Sequence, residues 1–153
     1  MKLIAIGDNV TDCYMDEGVY FPGGNAVNVA VNCKKNGAEK VNYIGVFGDD
    51  ERADYIKQCL TEEGVTYDRS RKVYAHTAQP RVYLKDGDRV FAPGLRDSCQ
   101  NLFSIKIVKE DEDAKIVAGI DPFDNGKMEY PVYKSLEDCK AQADVVIDLA
   151  SAK

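Results

Sequence analysis

A pair of glycines followed directly by a helix-forming run constrains the fold of this chain more than any other feature. Gly23 and Gly24 precede the run Asn25–Ala30, which reads Asn-Ala-Val-Asn-Val-Ala. Glycine tolerates positive φ and lets a ligand approach the backbone closely. Asn25 and Asn28 are three residues apart and share the first face of the helix, where amides and free backbone N–H groups can bind hydroxyls. The segment predicts a small-molecule binding turn; the alternative is a plain helix start, with Asn25 as the cap and Asn28 solvated.

The residues before this turn favour the binding interpretation. Leu3–Asp8 reads as a short apolar strand that ends at a glycine and an acid, and α/β proteins place ligands at the carboxyl ends of such strands. Asp12 follows closely enough to face the same cleft if Cys13–Phe21 folds back as a hairpin. An acid and two amides suit a polyhydroxylated substrate.

Size, charge and cysteine usage exclude several classes of protein. The 153 residues, 44% of them hydrophobic, are about the material of one ordinary domain and exclude a large two-domain enzyme. A net charge of −6 without a basic stripe argues against nucleic acid as a partner. The five scattered cysteines form no CxxC pair, so we expect reduced thiols and no metal site. No stretch approaches the ~20 apolar residues of a membrane span, and we expect a soluble cytoplasmic protein without a membrane partner.

Periodicity and turn residues predict alternating strands and helices up to about residue 91. The inward positions of the first helix are expected to be Ala26, Val29, Ala30 and Cys33, spaced i, i+3, i+4, i+7. The predicted elements are a strand over 3–8, a hairpin over 13–21, helices over 25–36 and 51–63, a strand over 41–47, and a hairpin that pairs 73–84 with 89–91 across Asp86-Gly87-Asp88. This order indicates an α/β sheet with a small added β element.

The composition changes near residues 96–104, and we place a domain junction there, between 1–101 and 102–153. Beyond it, Lys115–Asp121 reads as a strand, Ser135–Ala141 as a short helix capped by Ser135, and Asp144–Leu149 as a further apolar strand. These elements predict a partial Rossmann-like βαβ unit.

With these motifs in view, residues 1–95 resemble the N-terminal part of the ribokinase (PfkB-type) carbohydrate kinases, most closely their fructoselysine 6-kinase branch. The resemblance implies a ribokinase-like three-layer sheet with a β-hairpin lid, in which Asp12, Gly23, Gly24, Asn25 and Asn28 contact the sugar. The residues that carry it are Ile6-Gly7-Asp8-Asn9 with Asp12, the run Gly23–Ala30, Gly37, Ile44-Gly45 with Gly48-Asp49-Asp50, Gly64-Val65, and Thr77-Ala78-Gln79 with Asp86–Phe91.

The second signature of that family, a Gly-Ala-Gly-Asp loop with the catalytic base and the anion hole, is absent from these 153 residues. The ATP-binding half is absent as well, and phosphoryl transfer depends on positioning phosphates and stabilising their charge. The resemblance therefore implies a truncated kinase that is inactive alone, with no catalytic residue and no intact site for the ATP and Mg²⁺ of the parent family.

Residues 105–152 instead resemble the start of the dinucleotide-binding domain of dihydrodipicolinate reductase. The resemblance rests on Val108–Asp121, Tyr130–Tyr133 and Ala143–Asp148, and it implies that Asp121 lies near an adenosine ribose. The glycine-rich turn that would cradle the pyrophosphate is missing before Val108. We therefore expect a chimeric chain with, at most, a remnant of an NAD(P) site.

Three functions remain open at this point. The first is a sugar-binding kinase fragment for a sugar or a sugar-amine. The second is a non-catalytic dimerising module, in which exposed strand edges around Val82 and Val90 of the lid pair between two chains. The third is a remnant reductase.

Overall fold

The order of strands and helices is that of an α/β protein, as the periodicity predicts. A computed structural model describes residues 2–92, 97–104, 115–123 and 126–142. The described residues fall into two compact units, one reaching Phe103 and the other beginning at Ser104. The elements of the first unit are β1 (Lys2–Ile6), β2 (Val10–Tyr14), β3 (Val19–Gly23), α1 (Asn25–Lys35), β4 (Lys40–Ile44), β5 (Val46–Phe47), α2 (Glu51–Glu62), β6 (Arg71–Lys72), β7 (Arg81–Lys85), β8 (Asp88–Phe91) and a short 3₁₀ helix (Cys99–Leu102).

Parallel pairing of β1 with β4 forms the centre of the first unit. Ala5 of β1 pairs with Tyr43 of β4, and a bridge from Asn42 to Thr66 adds a third segment beside β4. The shorter strands β5 and β6 are also parallel. Both β1 and β4 are followed by glycines, so the chain turns at the carboxyl end of this sheet.

The helices α1 and α2 bury small and branched side chains in one core. The buried residues of α1 are Ala26, Val27 and Ala30, and those of α2 are Ala53, Ile56 and Leu60. The prediction of Val29 as an inward position is wrong, because its side chain is 50% exposed and Val27 takes its place. The core is completed by residues of the sheet and its connections: Ala5, Ala38, Val41, Tyr43, Phe47 and Val65.

A second sheet of four strands has the order β3-β2-β7-β8 and corresponds to the predicted lid. β2 and β7 are parallel, and the outer pairs β2–β3 and β7–β8 are antiparallel hairpins. The predicted strand over 73–84 is wrong over 73–80, because β7 begins only at Arg81. Two features of this segment explain the late start. Pro80 has no N–H group to donate to a neighbouring strand, and Thr77 N donates to the side chain of Asp50.

In the second unit, β9 (Gly119–Ile120) and β10 (Val132–Tyr133) form a parallel pair. Only the end of the predicted strand over 115–121 is therefore a strand. The predicted helix over 135–141 is a single turn, in which Ser135 Oγ accepts from Asp138 N at 3.3 Å, as an N-cap would. The predicted strand over 144–149 lies outside the described residues.

Candidate functional site

The glycine pair packs directly against two acidic segments. A Cβ at Gly23 would lie 2.6 Å from Asp12 Oδ2, and a Cβ at Gly24 would lie 2.6 Å from the carbonyl oxygen of Asp8 and 2.9 Å from Asn9 Cα. Gly24 also has a φ of 101°, which L side chains rarely adopt. Both positions therefore require glycine, because any side chain would displace Asp12 or the turn that follows β1.

Asp12 lies on β2, opposite Phe21 of β3. Its side chain is half-buried, and this burial raises the pKa of its carboxyl group; the positive charge of Arg89 acts in the opposite sense, and the negative charge of Asp8 adds to the increase. The structure thus places a partly desolvated carboxylate beside the glycine turn.

Helix α1 begins at this turn with Gly24 as its N-cap, so the alternative of Asn25 as the cap is wrong. In the part of the chain that the structure describes, the N-cap residue itself makes no side-chain hydrogen bond to the helix, although Asp8 Oδ1 accepts from Ala26 N at 3.4 Å. Asn25 and Asn28 are exposed, and within the described residues their carboxamides have no hydrogen-bond partner. The first turn therefore presents amides and backbone N–H groups to solvent beside the carboxylates of Asp8 and Asp12.

A buried hydrogen-bond network holds the turn after β1 in place. The Tyr43 hydroxyl donates to the carbonyl oxygen of Gly7 at 2.8 Å and accepts from Asn9 Nδ2 at 2.8 Å. Asn9 Nδ2 also donates to the carbonyl oxygen of Val46 at 2.9 Å. Both side chains are fully buried, and burial raises the pKa of Tyr43. The sequence gives Asn9 only as part of a motif, and Tyr43 is indistinguishable there from an ordinary core tyrosine.

Asp50 connects α2 to the segment that leads into the lid. Its Oδ1 accepts from Ala53 N at 2.9 Å and so caps α2, and its two carboxylate oxygens accept from the Thr77 hydroxyl at 2.6 Å and from Thr77 N at 2.7 Å. Burial alone would raise the pKa of Asp50, but these hydrogen bonds outweigh it and lower the pKa.

Asp121 directly follows β9 in the second unit and is exposed. Its Oδ1 accepts from Phe123 N at 2.8 Å, which is the local turn typical of an aspartate after a strand.

Among the described residues, no group of three or more His, Cys, Asp or Glu side chains is placed to hold a metal ion. No helix of the described part is long and apolar enough to cross a membrane.

Comparison with known proteins assigns the chain to a family. The family model for pfkB family carbohydrate kinases matches residues 1–150. The chain belongs to this family. The matched range includes most of residues 105–152, so the assignment extends over the segment that resembles the reductase domain. The fold agrees: the fructokinase from Xylella fastidiosa superposes with a TM-score of 0.59 at 26% identity, over 69% of this chain and 36% of that one.

Two curated relatives are similar to the chain in sequence. The fructosamine kinase FrlD of Bacillus subtilis is 38% identical over 122 residues, which are 79% of this chain and 42% of the relative. The fructoselysine 6-kinase of Escherichia coli is 44% identical over 92 residues, which are 60% of this chain and 35% of the relative. The chain therefore spans less than half of the length of these relatives.

Proposed function

We propose that these 153 residues form the sugar-binding part of a pfkB-type kinase for sugar-amines such as fructoselysine. The observation that carries the proposal is the packing of the half-buried Asp12 carboxylate against Gly23, beside the N-terminus of α1. The names of the two curated relatives, a fructosamine kinase and a fructoselysine 6-kinase, support a sugar-amine as the substrate class.

In this proposal each group of the turn has a separate role. Asp12 accepts hydrogen bonds from sugar hydroxyls, which a carboxylate does well because it carries only acceptors when ionised. Gly24 lets the sugar approach the backbone, and the exposed amides of Asn25 and Asn28 donate to and accept from further hydroxyls. Phe21 and Tyr14, whose rings meet edge to face at 5.8 Å on the same face of the lid as Asp12, cover the sugar.

Isothermal titration with fructoselysine tests the binding proposal. We expect the wild-type chain to bind fructoselysine. Asp12→Asn is expected to bind it at least about tenfold more weakly, because a charge-assisted acceptor is removed. Glu17→Gln, which changes an exposed acid in the β2–β3 turn, is expected to bind as the wild type does. Free lysine serves as the control ligand. Equal affinity of wild type and Asp12→Asn, with both folded by circular dichroism, would contradict the proposal.

We also propose that these 153 residues do not transfer phosphate alone. They contain no Gly-Ala-Gly-Asp segment to supply the catalytic base and the anion hole, and positioning the ATP γ-phosphate with Mg²⁺ needs groups that the sugar side lacks. A coupled ADP-release assay with ATP, Mg²⁺ and fructoselysine is expected to show no turnover. Turnover at the level of a kinase would overturn this part of the proposal.

A dimer through the lid is the second candidate. Within the described residues β8 is an edge strand, and Val90 and Phe91 on it are 45% and 54% exposed. The expectation of an edge at Val82 is wrong, because β7 is an inner strand and Val82 is buried. Sedimentation velocity is expected to show a dimer that Val90→Lys converts to a monomer; a wild-type monomer would remove this candidate.

A nicotinamide-linked function of residues 105–152 has the least support. The pfkB match extends to residue 150, and Asp121 already accepts a local hydrogen bond. Titration of NADH fluorescence is expected to show no change on addition of the chain, whereas a blue shift would favour the remnant reductase.

A further inference from the structure

A cavity of about 310 Å³ lies under the β2–β3 hairpin, where the hairpin meets α2 and the start of β7. Its walls include Cys13 and Tyr20 of the hairpin, Arg52 of α2, and Gln79 and Arg81 next to and within β7. Of the described residues that line it, two are arginines and none is acidic, although the whole chain has a net charge of −6. The local charge is therefore opposite in sign to that of the protein.

The two arginines of this cavity lie on the opposite side of the lid from Asp12, although Tyr14, which shares the Asp12 face, also lines the cavity. Successive side chains of a strand point to opposite faces of a sheet. Asp12 pairs with Phe21 on one face of the lid, and Cys13 pairs with Tyr20 on the other. The arginines therefore meet the face of the lid that is turned away from Asp12, so that an anion held between them does not contact the Asp12 carboxylate.

Arg52 has a fixed position and an unused donor. Its guanidinium carbon lies 3.3 Å from the centre of the Tyr20 ring, a stacked cation–π contact. Tyr20 is itself held edge to face against Tyr55 at 5.2 Å. Arg52 Nη1 is buried and has no hydrogen-bond partner among the described residues. Buried polar atoms nearly always have a partner, so this nitrogen calls for an acceptor from outside the protein.

Arg81 supplies a second cation to the same cavity. It lies opposite Cys13 in the β2–β7 pairing, and among the described residues neither Arg52 nor Arg81 forms an ion pair. Gln79, two residues before Arg81, adds an amide to the wall. Planar guanidinium groups match the two oxygens of a carboxylate or a phosphate, which accept two parallel N–H bonds.

We propose that this cavity binds a small oxyanion, a carboxylate or phosphate group, between Arg52 and Arg81. Its volume is at the lower end of the range for ligand pockets and corresponds to about ten water molecules, which suits a small metabolite rather than a nucleotide. Because the two arginines belong to α2 and to β7, the bound anion joins the helix to the lid.

Titration followed by NMR and calorimetry tests this proposal, with inorganic phosphate and acetate as the probes at constant ionic strength. We expect at least one probe to shift the Arg52 side-chain Nε–H signal and to bind at least about tenfold more weakly to Arg52→Gln and Arg81→Gln. Lys40→Gln, which removes an exposed positive charge on β4, is the matched control and is expected to bind as the wild type does. Tighter binding of phosphate identifies a phosphate ester as the ligand class, and tighter binding of acetate identifies a carboxylate.

Arg52→Lys is a second variant, for the case in which Arg52→Gln does not fold. It keeps the positive charge but loses the planar guanidinium group. It is expected to remain folded and to bind the probe more weakly than the wild type does. The proposal is overturned if neither probe binds, or if Arg52→Lys and Arg81→Gln both bind as the wild type does. Asp12→Asn is expected to bind the anion normally, so a failure of the sugar proposal and a failure of this one are distinguishable.

Discussion

At the scale of single residues, Asp12 links the proposed binding to pH. Burial raises the pKa of its carboxyl group above the ordinary value of 3.8, so the protonated form accumulates at a higher pH than in an unfolded chain. Sugar affinity is expected to fall as the pH decreases through this raised pKa, because a protonated carboxyl loses acceptor capacity. Calorimetric titration with fructoselysine between neutral and acidic pH measures this change in affinity. An affinity that does not change with pH would contradict a role of the Asp12 carboxylate in binding.

The same residue is expected to show a conflict between stability and function. A raised carboxyl pKa means that the ionised form costs stability above that pKa, and that this cost disappears as the pH falls through it. Asp12→Asn is therefore expected to raise the free energy of unfolding at pH 7 while it weakens sugar binding. Urea denaturation of both proteins checks this, and a less stable variant would show that the carboxylate is well compensated in the folded state.

Tyr43 is expected to support the turn after β1 without touching the ligand. Tyr43→Phe leaves the carbonyl oxygen of Gly7 and one N–H of Asn9 without a buried partner, which costs about 1–3 kcal/mol. Tyr74→Phe is the matched control, because Tyr74 is 98% exposed and no change is expected. Urea denaturation measures both. Equal stability of Tyr43→Phe and the wild type would mean that the network is dispensable.

At the scale of elements, Asp50 is expected to stabilise α2 and the approach to the lid together. Asp50→Ala removes an N-cap and two hydrogen bonds from Thr77, at a cost of about 2–4 kcal/mol. Because hydrogen bonding lowers the pKa of Asp50, its contribution is complete above pH 3.8 and is lost as the pH falls through the lower, folded-state value. Urea denaturation of the wild type and the variant, from neutral to acidic pH, measures the loss of stability and its pH dependence. A difference in the free energy of unfolding that stays the same at all pH values would contradict this role.

The elements also show what periodicity can predict. Helices α1 and α2 end within one residue of their predicted bounds, because glycine and the apolar spacing mark both ends. The strand predicted over 73–84 is wrong over 73–80, since the apolar residues there belong to a segment bound to Asp50 through Thr77. Val29 is wrong as an inward position because two apolar faces overlap in the run Ala26–Ala30, and only the packed sheet decides between them.

At the scale of the whole molecule, the family and the fold class follow from sequence motifs, whereas the interior of the site does not. The glycine pair and Asp12 are adjacent in the structure, because the segment between them folds back as the predicted hairpin. The network of Asn9 with Tyr43 depends on a contact across 34 residues, and the cavity near Arg52 depends on how α2 meets the lid. Neither leaves a local signal, because long-range packing creates them.

The most direct test of the central claim is a crystal structure of these 153 residues with fructoselysine bound. The account predicts sugar hydroxyls within hydrogen-bond distance of the Asp12 carboxylate and of the first turn of α1, with the sugar close against Gly24. A sugar bound elsewhere on the chain, or one in this turn that does not contact Asp12, would contradict it.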